Sequence, residues 1–414
     1  MDKKKKIVVS LALITLFSNG LYADKSQDIK ELKAEIAELR EVTQTLIDET
    51  SDLKTGFNYT TVDVTKSHSG LGSAASKVYY SSSPLSIGGY GEMYYSQQSG
   101  DSTDKSTLDV YRFVPYIGYK FSDNIILNTE IEFEHGGVAN DGGAAAGGEV
   151  IIEFMYLDFL LSNYANLRVG NFLVPMGLIN EKHEPTLFTT VQRPDTSKYI
   201  IPTTWHESGV MAYGDIMDGL SYNFAAVSAL QTGTNGSKWL RSGRGGSFKQ
   251  TDANLAFVGR VDYTGLNGLL VGVSSYYAPS ANSADSTTTI SDIHLDYKIA
   301  GARVYGTYAE VNRSNASDIA SDAVESAKGG YVNLSYDVFS LTKTTTSLPI
   351  FVQYESMNPE DSRADSTSGD TTTTTTLGIN YFPHEQVVLK ADYAMKSVGS
   401  TDDSIASISM GFIF

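Results

Sequence analysis

Residues 404–414 read SIASISMGFIF. Apolar and small or polar side chains alternate along them, and Ala406, Ile408, Met410, Phe412 and Phe414 share one parity. A period of two places that set on one face of a β-strand. Such a face suits lipid, so the expected structure is the closing strand of a transmembrane barrel. An ordinary soluble edge strand is the competing reading.

Working back from this strand, the pattern repeats as far as Pro84: segments of about ten residues alternate in polarity and are separated by turn residues. Sixteen strands are expected, near 85–96, 108–121, 125–135, 149–161, 167–175, 207–215, 219–230, 253–264, 268–278, 288–299, 302–311, 329–339, 349–357, 371–382, 386–396 and 404–414. Short connections such as 122–124, 162–166, 265–267 and 383–385 alternate with long ones such as 97–107, 176–206, 231–252 and 358–370. Short turns on one rim and long loops on the other are the habit of outer-membrane barrels. An even strand count puts both barrel ends on one side. The threonine run Thr371–Thr376 is read as the polar top of a strand.

The N-terminus agrees. Lys3–Lys6 form a basic region, Ile7–Phe17 an apolar one, and Leu21-Tyr22-Ala23 a cleavage site, so residues 1–23 resemble a secretory signal peptide. The apolar run is shorter than the roughly 20 residues that span a bilayer, which disfavours an uncleaved anchor. Removing four Lys and one Asp with this segment moves the formal charge from −17 to −20, which argues against nucleic acid as a partner. Zero cysteines exclude a disulfide framework and thiolate chemistry.

In residues 24–54, Ile29, Leu32, Ile36, Leu39, Leu46 and Leu53 step by three and four, with Thr43 and Thr50 completing the series. This heptad predicts a periplasmic coiled coil for self-assembly, with Asp28, Glu35 and Glu49 at g and Lys33, Arg40 and Lys54 at e. A helix that packs on or plugs its own barrel is the alternative. Residues 55–83, rich in Ser, Thr and Gly, read as a linker, and 84–414 as the barrel domain.

Strand parity sorts the interior from the lipid face. Glu130, Glu132 and Glu134 point inward as a ladder while Leu127, Ile131 and Phe133 face out. On the preceding strand Arg112 and Lys120 are inward, opposite Tyr111, Phe113, Ile117, Tyr119 and Phe121. The same test puts Arg260, Asp262, Asp292, His294, Asp296, Lys298, Glu355, Lys390, Asp392 and Lys396 inside. Residues 149–162 and 167–175 do not hold one parity, which predicts a bulge. The long stretch 176–206, with Glu181, Lys182, His183, Glu184, Arg193, Asp195 and Lys198, is expected to fold inward as a constriction. Barrels of sixteen strands leave an aqueous channel, and paired charges around a plug are the alternative.

Several runs carry a resemblance: SIGGYGEMYY (86–95), RFVPYIGYKFSDNIILNTEIEFEH (112–135), LRVGNFLVPMGLINEKHEP (167–185) and IPTTWHESG (201–209). They resemble the phosphate-selective porin O and P family. The terminal Phe414 likewise resembles the sorting signal of outer-membrane proteins. The family resemblance implies a trimeric, sixteen-stranded porin of the Gram-negative outer membrane with its third loop as constriction. Phosphate-selective members line the path with arginines and a lysine cluster, whereas Arg112, Arg168, Arg260 and Arg303 are scattered here among inward acids.

Enzymatic readings are weak. His183-Glu184 and His206-Glu207 lack the second histidine of a zinc protease helix. Gly88-Gly89-Tyr90-Gly91 opens a strand and is read as relief of crowding inside the barrel. No metal, cofactor or catalytic set is expected. The leading expectation is passive diffusion of small hydrophilic solutes and ions, cation-leaning. The competing one is an envelope tether whose coil reaches toward peptidoglycan.

Overall fold

In a computed structural model the described residues are 33–47, 61–138, 147–251, 253–279 and 285–414. The signal peptide and the heptad residues Ile29, Leu32 and Leu53 lie outside them. A helix, α1, covers 33–47 with every residue exposed, Ile36, Leu39 and Leu46 included. A one-turn helix, α2, covers Lys77–Tyr80.

Sixteen antiparallel strands follow and close on themselves. They are β1 Leu85–Gly100, β2 Lys105–Ser122, β3 Ile125–Glu134, β4 Val150–Phe159, β5 Asn166–Leu173, β6 His206–Met217, β7 Leu220–Ser228 and β8 Leu255–Tyr263. The second half is β9 Leu269–Ala278, β10 Thr288–Ile299, β11 Ala302–Arg313, β12 Val324–Asp337, β13 Pro349–Arg363, β14 Thr372–His384, β15 Val387–Val398 and β16 Thr401–Ile413. Each strand pairs with its sequence neighbours, and β16 returns to β1 with Gly91 opposite Phe412 and Tyr95 opposite Ile408. The seam ends where Gly89 and Phe414 exchange N–H···O bonds of 2.9 Å in both directions. Closure leaves no unpaired edge, which is what a sheet in hydrocarbon requires.

Alternation sets the two faces. In β16, Ile408 and Met410 are exposed while Ser407 and Gly411 are buried, so the parity read from the last residues holds. Tyr111, expected on the lipid side, is a correction. The β1/β2 register slips between Glu92/Arg112 and Tyr94/Asp109, which turns Tyr111 inward, its ring centre 5.1 Å from the Arg112 guanidinium.

The predicted bulge falls in β4. Glu130 pairs with Phe154, and the next pair is Ile131 with Ile152, so Glu153 is the extra residue. Glu153 and Phe154 are both fully buried, and Tyr156 and Asp158 continue on the inner face.

Residues 61–83 correct the linker reading: they belong to the same compact unit as the barrel. Val62, Leu71, Ala74, Ala75, Ser76 and Val78 are buried against its inner wall at the short-turn end. The approach is close enough that a Cβ on Gly118 of β2 would lie 2.5 Å from Val78, and one on Gly88 would lie 3.2 Å from the Lys77 side chain as well as 2.8 Å from the Phe414 carbonyl oxygen at the seam. Gly88 thus relieves crowding, as its sequence context suggests.

Candidate channel constriction

The connection from β5 to β6 folds into the barrel. From Asn171 to Glu207 only Gln192 is exposed. Its residues find hydrogen-bond partners on the inner wall. Arg260 on β8 donates to the Gly177 carbonyl at 2.7 Å and lies 3.2 Å from Glu181. Arg303 on β11 donates to Leu187 O at 2.9 Å, and Lys390 on β15 to Phe188 O at 2.8 Å and Thr190 O at 3.0 Å. Asp392 accepts the Val191 N–H at 2.6 Å, Glu355 those of Asp195 and Thr196, and Lys396 pairs with Asp195 at 2.7 Å. The inward charges of β8 to β15 therefore seat this loop.

Wall arginines are also paired within the wall. Arg112 grips Glu92, directly opposite in register, with Nη2 at 2.6 Å, and its Nη2 also reaches His183 O at 3.1 Å. Arg168 makes a bidentate pair with Asp158 at 2.8 and 2.9 Å, again directly opposite. Arg260 pairs with Asp262 and Arg303 with Asp296, each at 2.8 Å. Lys182 and Lys298 lie in the field of Asp296. Such pairs return the cost of desolvation only through this geometry. Lys120 points inward, as its parity predicts, but does not line the path as the sequence reading expects of an inward charge. Instead its ammonium donates to the carbonyls of Ser81 at 2.6 Å and Tyr79 at 3.4 Å.

That contact belongs to the segment before β1, which fills the short-turn half of the interior. Tyr79 OH donates to Asp158 at 2.5 Å, Asn128 to Ala75 O at 2.8 Å and Lys77 to Ile87 O at 2.7 Å. His68 stacks on Tyr79 with ring centres 3.6 Å apart and meets Tyr213 OH at 3.0 Å. The segment is fastened to the folded loop as well. Glu184 accepts the N–H groups of Ala75 at 3.0 Å and Ala74 at 3.2 Å and the Ser73 hydroxyl at 3.4 Å. Burial pushes the Glu184 carboxyl up to about 7, with these donors pulling the other way.

Above this segment the acid ladder stands on β3 and β4. Glu130, Glu132 and Glu153 are buried, Glu134 is half-buried and Glu149 exposed. Four of their buried oxygens, Glu130 Oε2, Glu132 Oε1 and both of Glu153, have no hydrogen-bond partner among the described residues. The loop charges facing them are Arg244, in the field of Glu132, Glu134 and Glu153, and Arg241, in that of Glu134, both from the β7–β8 connection, with Arg193 and Lys198 of the β5–β6 connection beside these arginines. Burial, with Arg241, Arg193 and Lys238 adding repulsion against the pull of Asp195, brings Lys198 down to about 8. The result is an acidic wall with a basic loop cluster beside it.

Sequence reasoning placed Glu130, Glu132, Glu134, Arg193 and Lys198 in this region but missed Glu92, Glu153, Asp158, Arg241 and Arg244. Cross-strand acid–base registry identifies Glu92 and Asp158. Glu153 needed the bulge to be located to one residue. The His206-Glu207 dipeptide serves loop packing: His206 contacts Asn171 at 2.9 Å, and Glu207 accepts from Trp205, Ser228 and the Gly245 N–H.

No family model matches the chain. A protein of Aquifex aeolicus (strain VF5), itself described as uncharacterized, is 34% identical over 363 residues, covering 82% of each chain. Among solved structures, an anion-selective porin from Comamonas acidovorans superposes with a TM-score of 0.54 at 12% identity, covering 80% of this chain and 99% of that one. The outer membrane channel DcaP of Acinetobacter baumannii gives 0.54 at 11%, covering 80% and 97%. OmpF of Salmonella typhi, in complex with daunomycin, gives 0.51 at 12%, covering 79% and 97%. At these identities the likeness is one of fold, and the fold is the outer-membrane porin barrel.

Proposed function

We propose, from the premise that the chain belongs to one family with the Aquifex aeolicus protein and carries a porin-type barrel, that it is an outer-membrane channel for passive diffusion. Its cargo is small hydrophilic solutes and ions, with a leaning toward cations. The observation that carries the leaning is the asymmetry of partners. Arg112, Arg168, Arg260 and Arg303 are each ion-paired with a wall carboxylate, whereas Glu130, Glu132 and Glu153 make no ion pair with an arginine or lysine among the described residues. Unpaired carboxylates in a narrow polar path raise the local cation concentration. The folded loop is the constriction, and Glu181, Lys182, His183, Glu184, Arg193, Asp195 and Lys198 are its polar residues. The domain scheme proposed is a cleaved signal at 1–23, a periplasmic coil at 24–54 that self-associates through its heptad, and a trimer of barrels in lipid.

The test is a planar bilayer. Purified folded protein should give stepwise conductance and a reversal potential of cationic sign across a KCl gradient. An anionic sign would restore the selectivity implied by the phosphate-selective porin resemblance, with Lys198, Arg193, Arg241 and Arg244 as its source.

A tether is the second reading, favoured by the burial of Val62 and residues 71–78 in the short-turn half of the barrel. In this reading the segment closes the barrel, which serves as the anchor of an N-terminal helix reaching toward peptidoglycan. Silence in the bilayer from verified folded protein would favour it.

A further inference from the structure

The β4 bulge creates a cluster unlike the paired charges elsewhere in the interior. Glu153, the bulged residue, lies beside Glu130 of β3, and His183 of the folded loop closes the third side. His183 Nε2 is 3.4 Å from Glu130 Oε1 and 3.9 Å from Glu153 Oε2, and all three groups are at most 2% exposed. Tyr90 and Thr204 offer the neighbouring hydroxyls. Even so, neither oxygen of Glu153 nor Oε2 of Glu130 has a partner of hydrogen-bonding geometry among the described residues.

The histidine adds an independent observation. Its Nδ1 lies 2.7 Å from the Asn180 carbonyl oxygen, which can only accept, so Nδ1 carries a proton. In the neutral ring Nε2 is then a lone pair, aimed at two carboxylates. Such a convergence of acceptor atoms calls for a proton or a cation between them, and a backbone carbonyl holding the far nitrogen is the arrangement that orients metal-ligating histidines. Ligand atoms about 2.1 Å from a tetrahedral centre stand about 3.4 Å apart, so a small inward movement of Glu153 completes the geometry.

We propose that Glu130, Glu153 and His183 bind one first-row divalent transition-metal cation, with Glu132 as an adjacent supporting carboxylate. Imidazole with carboxylates suits zinc and its neighbours, whereas calcium and magnesium take all-oxygen shells. The ion would join the folded loop to β3 and β4. This site stands whether or not the barrel conducts.

The experiment uses the full chain, folded in detergent, stripped with EDTA, dialysed, and titrated with Zn²⁺ alone. Bound metal is counted by mass spectrometry after equilibrium dialysis, with folding checked by heat-modifiable mobility. One high-affinity equivalent per chain is expected, weakened at least tenfold in Glu153→Gln and unchanged in Glu149→Gln. Equal binding by wild type and Glu153→Gln would overturn the proposal, as would no high-affinity equivalent. Should Glu153→Gln fail to fold, Co²⁺ on wild type decides: an intense visible band of a four-coordinate site with nitrogen ligation supports the site, and a weak octahedral spectrum sinks it.

Discussion

Glu184 Oε1 accepts the backbone N–H of Ala75 at 3.0 Å, joining the loop between β5 and β6 to the segment that precedes β1. Two elements 109 positions apart thereby share one hydrogen-bonded unit inside the barrel, with Ala74 and Ser73 completing it.

Removing that carboxylate should loosen the segment. At about pH 8, above the value of about 7 to which burial brings this carboxyl, a charge-assisted hydrogen bond contributes about 1.5–3 kcal/mol, so Glu184→Gln, which keeps shape but loses charge, should speed trypsin cleavage at Lys66 or Lys77 by about tenfold or more. Gly72→Ala should act in the same direction, since its Cβ would fall 2.2 Å from Glu184 Oε1. Limited proteolysis of the folded protein measures both.

Neutralising the ladder should change selectivity. With Glu130, Glu132 and Glu134 all replaced by Gln, the reversal potential across a KCl gradient should move in the anionic direction. An unmoved reversal potential would place the ladder outside the ion path.

Lys198 should make the proposed ion path pH-dependent. Its amine is protonated below about 8 and neutral above it, so raising pH through that value removes one positive charge from the basic loop cluster. Cation preference should rise between about pH 7 and pH 9. Arg241, brought down only to about 10 by burial and its basic neighbours, stays charged over most of that range. In Lys198→Met the step should vanish, and reversal potentials at the two pH values should coincide.

Breaking the Arg168–Asp158 pair should be costly. Both side chains are fully buried, and Arg168→Met leaves the Asp158 carboxylate with Tyr79 and a distant His68. Loss of one partner from a buried pair costs about 3–5 kcal/mol, read as a lower temperature for loss of the heat-modifiable form. The double variant Arg168→Met/Asp158→Leu should recover much of this.

Deleting residues 24–54 separates the proposed roles of coil and barrel. The conductance of a channel should survive, whereas attachment of a tether to isolated cell wall should be lost. Sedimentation of the same variant reports whether trimers need the heptad.

The sequence disclosed the wall because alternation is enforced by two solvents: lipid outside selects Ile408 and Met410, and the polar interior selects Glu130 and Asp262. Residues 61–83 lacked any such signal. Their Ser- and Gly-rich stretch is ordered by single side chains of distant strands, Asn128, Lys120 and Asp158, and by Glu184 of the folded loop, and these contacts leave no period. Arg241 and Arg244 were hidden for the same reason, since loop residues carry no parity. Arg112 and Lys120 were placed on the correct face, yet facing inward does not say whether a charge meets water or a neighbour. Only registry reveals that Arg112 lies opposite Glu92.

The extra residue in β4 also frees one surface from the other. In a strictly alternating strand, every added interior group comes with an added exterior one. At this bulge the interior gains a carboxylate and an aromatic side by side, while Ile152 and Met155 remain at 43% and 50% exposure on the hydrocarbon side. Interior chemistry at this height can therefore be rewritten through position 153 without editing the membrane-facing coat.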